Sequence, residues 1–106
     1  MQIARPEDGF RIVVRPEVAR YIEAETRENF RIGQYWKDIL ERIKFTALQE
    51  SHVVPSNGAP TFSFIANGTV DFNIPTIQIV FECLGDTLEI IAALVWVEQD
   101  YEDSSY

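Results

Sequence analysis

The chain has 106 residues, 46% of them hydrophobic and 25% charged, with a formal net charge of -8. That length fits one domain with its own hydrophobic core, and the composition excludes a disordered or low-complexity chain. A single cysteine, Cys83, excludes an internal disulfide and reads as a small core residue in an apolar strand.

The charge is unevenly placed. Residues 1–44 hold all nine cations against eight acids, while residues 45–106 hold nine acids and no Lys or Arg. An acidic half repels phosphate and cannot make the counterion-releasing contacts that dominate nucleic-acid affinity. It suits a basic protein partner or solubility alone. The opening "MQIARPEDGF" has no apolar core of a signal peptide. The longest apolar run, residues 90–97, is far below the ~20 residues that span a bilayer. The expectation is a cytoplasmic protein with no membrane association.

In chain order, "FRIVVR" alternates Phe10, Ile12 and Val14 with Arg11, Val13 and Arg15, the period of a half-buried strand. Pro16 ends the ladder and suits the first turn of a helix. Val18, Tyr21 and Ile22 form that helix's apolar face, with its end predicted near residues 30–33 and Gly33 as the break. A second helix follows, with Trp36, Ile39, Leu40, Ile43 and Ala47 at i, i+3, i+4, i+7 and i+11. "SHVVPSNGAP" reads as a loop. "TFSFIANGTVDFNI" reads as a hairpin turning at Asn67-Gly68, with Val70, Phe72 and Ile74 on its return strand. "TIQIVFEC" alternates, turns at Gly85-Asp86, and continues as "TLEIIAALVWV", apolar on both faces like a central strand. The predicted core comprises Trp36, Ile39, Leu40, Ile43, Phe62, Phe64, Ile77, Ile79, Phe81, Ile90, Leu94 and Trp96.

The predicted order is β-α-α-β-β-β, with one further strand optional. That is an α+β domain with two helices on one face of a twisted antiparallel sheet, its first strand beside the apolar last one. The whole chain, 1–106, is one domain, with an ordered core over about 9–98 and an acidic tail over 99–106.

This order and spacing resemble the RelE/ParE toxin superfamily. "FRIVVRPEVARYIEAE" is similar to the family's opening strand and helix, "QYWKDILERIKFTALQE" to its second helix, and "TIQIVFECLGDTLEIIAALVW" to its closing hairpin. The resemblance implies a scaffold shared with ribosome-dependent ribonucleases and gyrase-directed toxins. It also implies where a nuclease site would lie, and there the chain departs from the pattern. Gln78 stands where the closing hairpin usually carries Arg, and Val97, Glu98 and Gln99 stand where a basic pair follows the last strand. Tyr101 matches a terminal tyrosine but lies between Asp100 and Glu102. Phosphoryl transfer needs preorganised positive charge, so the nuclease site is expected to be absent.

His52, Gln78 and Tyr101 are the catalytic candidates left to consider. "ESH" at residues 50–52 offers no diagnostic nucleophile or base spacing. Glu98, Asp100, Glu102 and Asp103 lack the glycine-centred spacing of a calcium loop and are assigned to partner binding. No metal and no cofactor is expected. The expected function is a non-catalytic RelE/ParE-like protein, a toxin-antitoxin component that binds an antitoxin-like or basic protein. The alternative is an unrelated acidic inhibitor of a basic partner. No nucleic-acid ligand is expected, and a homodimer stays open.

Overall fold

A computed structural model describes residues 6–69 and 74–96. Strand β1 (Arg11–Val14) leads into helix α1 (Pro16–Glu28) and helix α2 (Phe30–Glu50). The strands β2 (His52–Val54), β3 (Thr61–Ala66), β4 (Thr76–Leu84) and β5 (Thr87–Trp96) follow. They form one sheet in the order β1-β5-β4-β3-β2. The fold is α+β, with both helices packed on one face of the sheet.

Arg15 is the extended cap of α1 and Pro16 opens its first turn, where a missing N–H costs nothing. The break between the helices falls at Asn29, four residues before the predicted Gly33. Asn29 leaves helical geometry (φ -148°, ψ 104°), and its Oδ1 accepts a 3.0 Å hydrogen bond from the Arg31 backbone N–H. An asparagine cap satisfies an amide that helix geometry leaves unpaired, whereas a glycine can only relax the chain. Gly33 instead lies inside α2, where a Cβ would come within 3.0 Å of Thr26 Cγ2 on α1. Its role is close approach of the two helices.

As expected, β1 pairs with the last described strand. The pairing is parallel, with Arg11 opposite Thr87 and Val14 opposite Ile90, so the sheet is mixed. The helical hairpin between β1 and the rest of the sheet supplies the crossover that a parallel pair requires. The other three pairings are antiparallel. The "SHVVPSNGAP" stretch is more than a loop. His52–Val54 is a short edge strand with His52 opposite Ser63 and Val54 opposite Thr61.

Two glycines act differently from each other. Gly85, at φ 66°, opens the two-residue turn joining Leu84 to its partner Thr87, as the sequence reading placed it. Asn67-Gly68 is not the turn of the β3–β4 hairpin. The ladder runs past it to Thr69 and Ile74, which exchange backbone hydrogen bonds of 3.0 and 2.9 Å. Gly68 allows close strand approach: a Cβ there would lie 1.9 Å from the Ile74 carbonyl oxygen. Val70 and Phe72 fall outside the described residues.

The core lies between the helices and the inner sheet face. Ile43, Ala47, Ile79, Phe81, Leu88 and Ile90 are fully buried. Phe62 and Phe81, directly opposite on β3 and β4, stack with centroids 5.5 Å apart. Trp36, Ile39, Ile43, Phe62, Phe64, Ile77, Ile79, Phe81 and Ile90 are buried as predicted. Leu40 is half-buried and packs against this core.

Leu94 and Trp96 depart from the prediction. A β-bulge inserts Ile91 into β5, so Phe81 faces Ile90 while Val80 faces Ala92. One extra residue moves every later side chain to the opposite face. Leu94 is therefore opposite Gln78 on the outer face, 54% exposed, and Trp96 is opposite Thr76 and half-buried. Ala93 and Val95 take the inner positions and pack on the core. Leu88, absent from the predicted core, is fully buried.

Candidate interaction surface

The outer face of the sheet, away from the helices, can be followed rung by rung across the registers. Val13, Glu89, Glu82, Thr61 and Val54 form one rung. Ala92, Val80, Ser63 and His52 form the next, and Leu94, Gln78 and Ile65 the one after. Of the exposed large hydrophobic residues, Val13 (38%), Ile65 (42%), Leu84 (47%) and Leu94 (54%) all lie on this face.

Glu82 and Glu89 stand directly opposite one another at its centre. Like charges in that position repel. Arg15, projecting from the end of β1, meets both. Its Nε donates to Glu89 Oε2 at 3.3 Å, and its Nη2 lies 3.8 Å from Glu82 Oε1. The three side chains are 25–40% exposed. Within this contact group one guanidinium meets two carboxylates, and Arg11, opposite Thr87 one rung along the same face, makes no ion pair with either of them. This cluster was not among the sequence candidates, although its register was readable. With a two-residue turn at Gly85-Asp86, residues counted outward from the turn must pair, and Glu82 meets Glu89.

Two of the three catalytic candidates come together around Ser63. Gln78 Nε2 donates to Ser63 Oγ at 3.0 Å, and His52 sits across from Ser63 on the edge strand. Among the described residues no hydrogen bond joins His52 to Ser63 or to an acid, so the base lacks both a nucleophile and an orienting partner. Gln78, where the resemblance sets Arg, is a neutral group engaged with a hydroxyl. Tyr101 and the acids Glu98, Asp100, Glu102 and Asp103 lie outside the described residues.

Arg42 and Glu50 pair at the end of α2, with Arg42 Nε donating to Glu50 Oε1 at 3.1 Å and a close second contact from Nη2. The Arg42 hydrogen bond, with a second from Thr46, holds the Glu50 carboxyl below its ordinary value. The same pairing raises Arg42. Burial pushes the Cys83 thiol up, which disfavours a reactive thiolate. Among the described residues no group of three or more His, Cys, Asp or Glu side chains could hold a metal. A cleft between β1 and α2, lined by Phe10, Arg11, Leu40, Glu41 and Lys44, mixes both charges without a converging catalytic set. No described helix is long and apolar enough to cross a membrane.

Comparison with known proteins yields no matching family model, no matching curated protein and no matching solved structure.

Proposed function

We propose that the chain is a non-catalytic, RelE/ParE-like component of a bacterial toxin-antitoxin system, acting in the cytoplasm by binding another protein. The observation that carries this reading is the chemistry of the sheet's outer face. Gln78 occupies the position that the resemblance assigns to a phosphate-binding arginine, and it is tied to Ser63. The guanidinium of Arg15 is engaged by Glu82 and Glu89, two rungs from Gln78 on the same face. A phosphate would have to break that pairing and face both carboxylates. The order strand, helix, helix, sheet, with β1 beside the last of the described strands, supports the scaffold part of the reading.

The charge asymmetry favours a second reading, an acidic inhibitor of a basic protein, because residues 45–106 carry nine acids and no Lys or Arg. Expression in bacteria separates the two. The first predicts growth arrest without messenger cleavage, relieved by a small protein encoded beside the gene. The second predicts unaffected growth and salt-sensitive capture of a basic partner. Specific cleavage of ribosome-bound messenger RNA, lost in His52→Ala or Tyr101→Phe, would sink both.

A further inference from the structure

Resting on that protein-binding reading, we infer that the outer sheet face is the docking surface for a basic amphipathic helix of a partner protein. A Lys or Arg of that helix would seat beside Glu82 and Glu89, and its apolar side would lie on Val80, Leu94 and Ile65.

The kind of occupant follows from the backbone. β4 lies inside the sheet, between β3 and β5 and paired with β5 along its whole length, and β5 is flanked on its other side by β1 over Thr87–Ile90. An extended peptide gains affinity from free backbone groups at a sheet edge, and a face offers none. A helix satisfies its own backbone and buries side chains only, which is how a helix layer packs on a sheet. The dimensions agree. Five strands about 4.8 Å apart span roughly 19 Å, and a helix of about 14 residues is roughly 21 Å long.

The sign of the partner's charge follows from the central cluster. Arg15 faces two carboxylates that the register forces together. A second cation would balance them and relieve the cross-strand repulsion. It would do so beside apolar side chains, where partial exclusion of water strengthens the pairing. A second copy of the chain fits poorly. Both copies would bring the same pair of acids, on a chain of net charge -8. Nucleic acid and anionic lipid are disfavoured for the same reason. Leu94 reaches this face only because Ile91 is bulged out, so the bulge provides the apolar floor.

The test is a titration of the full chain, followed by backbone amide shifts in NMR. One probe is a helix-forming peptide of about 14 residues with Leu at i, i+3, i+4, i+7 spacing and Lys along its margins. The other is the same peptide with Glu replacing Lys. The Lys peptide is expected to give saturable shifts at Val80, Glu82, Glu89 and Leu94, and the Glu peptide none. Leu94→Lys changes a side chain that is already more than half exposed, and Glu82→Gln with Glu89→Gln leaves Arg15 unbalanced; each should weaken the Lys peptide by at least about tenfold. Shifts confined to the helices, equal binding of the Glu peptide, or indifference to these variants would overturn the inference. The titration needs no natural partner, so it can fail independently of the proposed function. A natural partner that bound the Leu94→Lys variant as tightly as the original chain would overturn the surface and leave the protein-binding function standing.

Discussion

Two leucines of β5, six positions apart, should respond oppositely to the same truncation. Leu88 is fully buried beneath the helices, and Leu94 is 54% exposed on the other face. Leucine to alanine removes three carbons, about 2.4 kcal/mol of transfer free energy at ~0.8 kcal/mol each when burial is complete. At Leu88 the rigid inner surroundings add a cavity term, giving an expected cost of about 2–5 kcal/mol. At Leu94 a little under half of the side chain is out of water and no cavity can form, so the cost should be about 1 kcal/mol at most. Urea denaturation at neutral pH measures both on one scale. Heating gives an independent check, because about 4–8 °C of Tm accompanies each kcal/mol in a domain of this size. Leu88→Ala should therefore melt several degrees below Leu94→Ala. Equal costs, or a larger cost at Leu94, would mean that the bulge at Ile91 is absent and that the two leucines share a face.

Gly68→Ala should cost about 1–3 kcal/mol or more, because its Cβ would collide with the backbone of Ile74 and Pro75; a chemical melt matching the original chain would refute the close approach. The Glu50 carboxyl is held below its ordinary value by Arg42 and Thr46. Its contribution to stability is thus present above the unfolded value of about 4.3 and is lost as pH falls through the lower folded value. The stability gap between the original chain and Glu50→Gln should be constant near neutrality and shrink as acid is added, measured by urea melts across that range. Cys83 is buried and its thiol pushed up, so an aromatic disulfide reagent should react with it only as fast as the chain opens, and rapid labelling in native buffer would contradict this burial.

The readable parts of the fold were those in which one short stretch carries its own period or turn. The α2 stripe from Trp36 to Ala47 and the Gly85-Asp86 turn depend on neighbours in sequence, and both stand as expected. The illegible parts depend on a partner elsewhere in the chain. The run from Ile90 to Val95 is apolar at every position, so no alternation shows where the face changes; the bulge exists only in relation to Phe81 and Val80 on β4. Asn67-Gly68 has turn chemistry, but its glycine answers to the carbonyl of Ile74. The strand at His52–Val54 is three residues long and gains its identity from pairing with β3. The site followed the same division. Gln78 and His52 were found by residue type and share a face, but Arg15 joins the Glu82–Glu89 pair only through the parallel register of β1 on β5, which no short stretch displays.

The parallel pair also governs when the protein can fold during synthesis. Arg15 meets Glu89 and Tyr21 meets Val95 across separations of 74 residues. Closing a loop of that length costs about 4 kcal/mol of chain entropy before any contact repays it. The strand that repays it is β5, the last of the described strands to emerge from the ribosome. Until then β1 has no strand to pair with, and α1 lacks the backbone amide of Val95 that donates to the Tyr21 hydroxyl. A nascent chain halted before β5 would hold a helical hairpin and a partial sheet with apolar faces open to water. Such a chain exposes the kind of apolar surface and unpaired strand edge on which chaperones and proteases act, until β5 arrives to cover it.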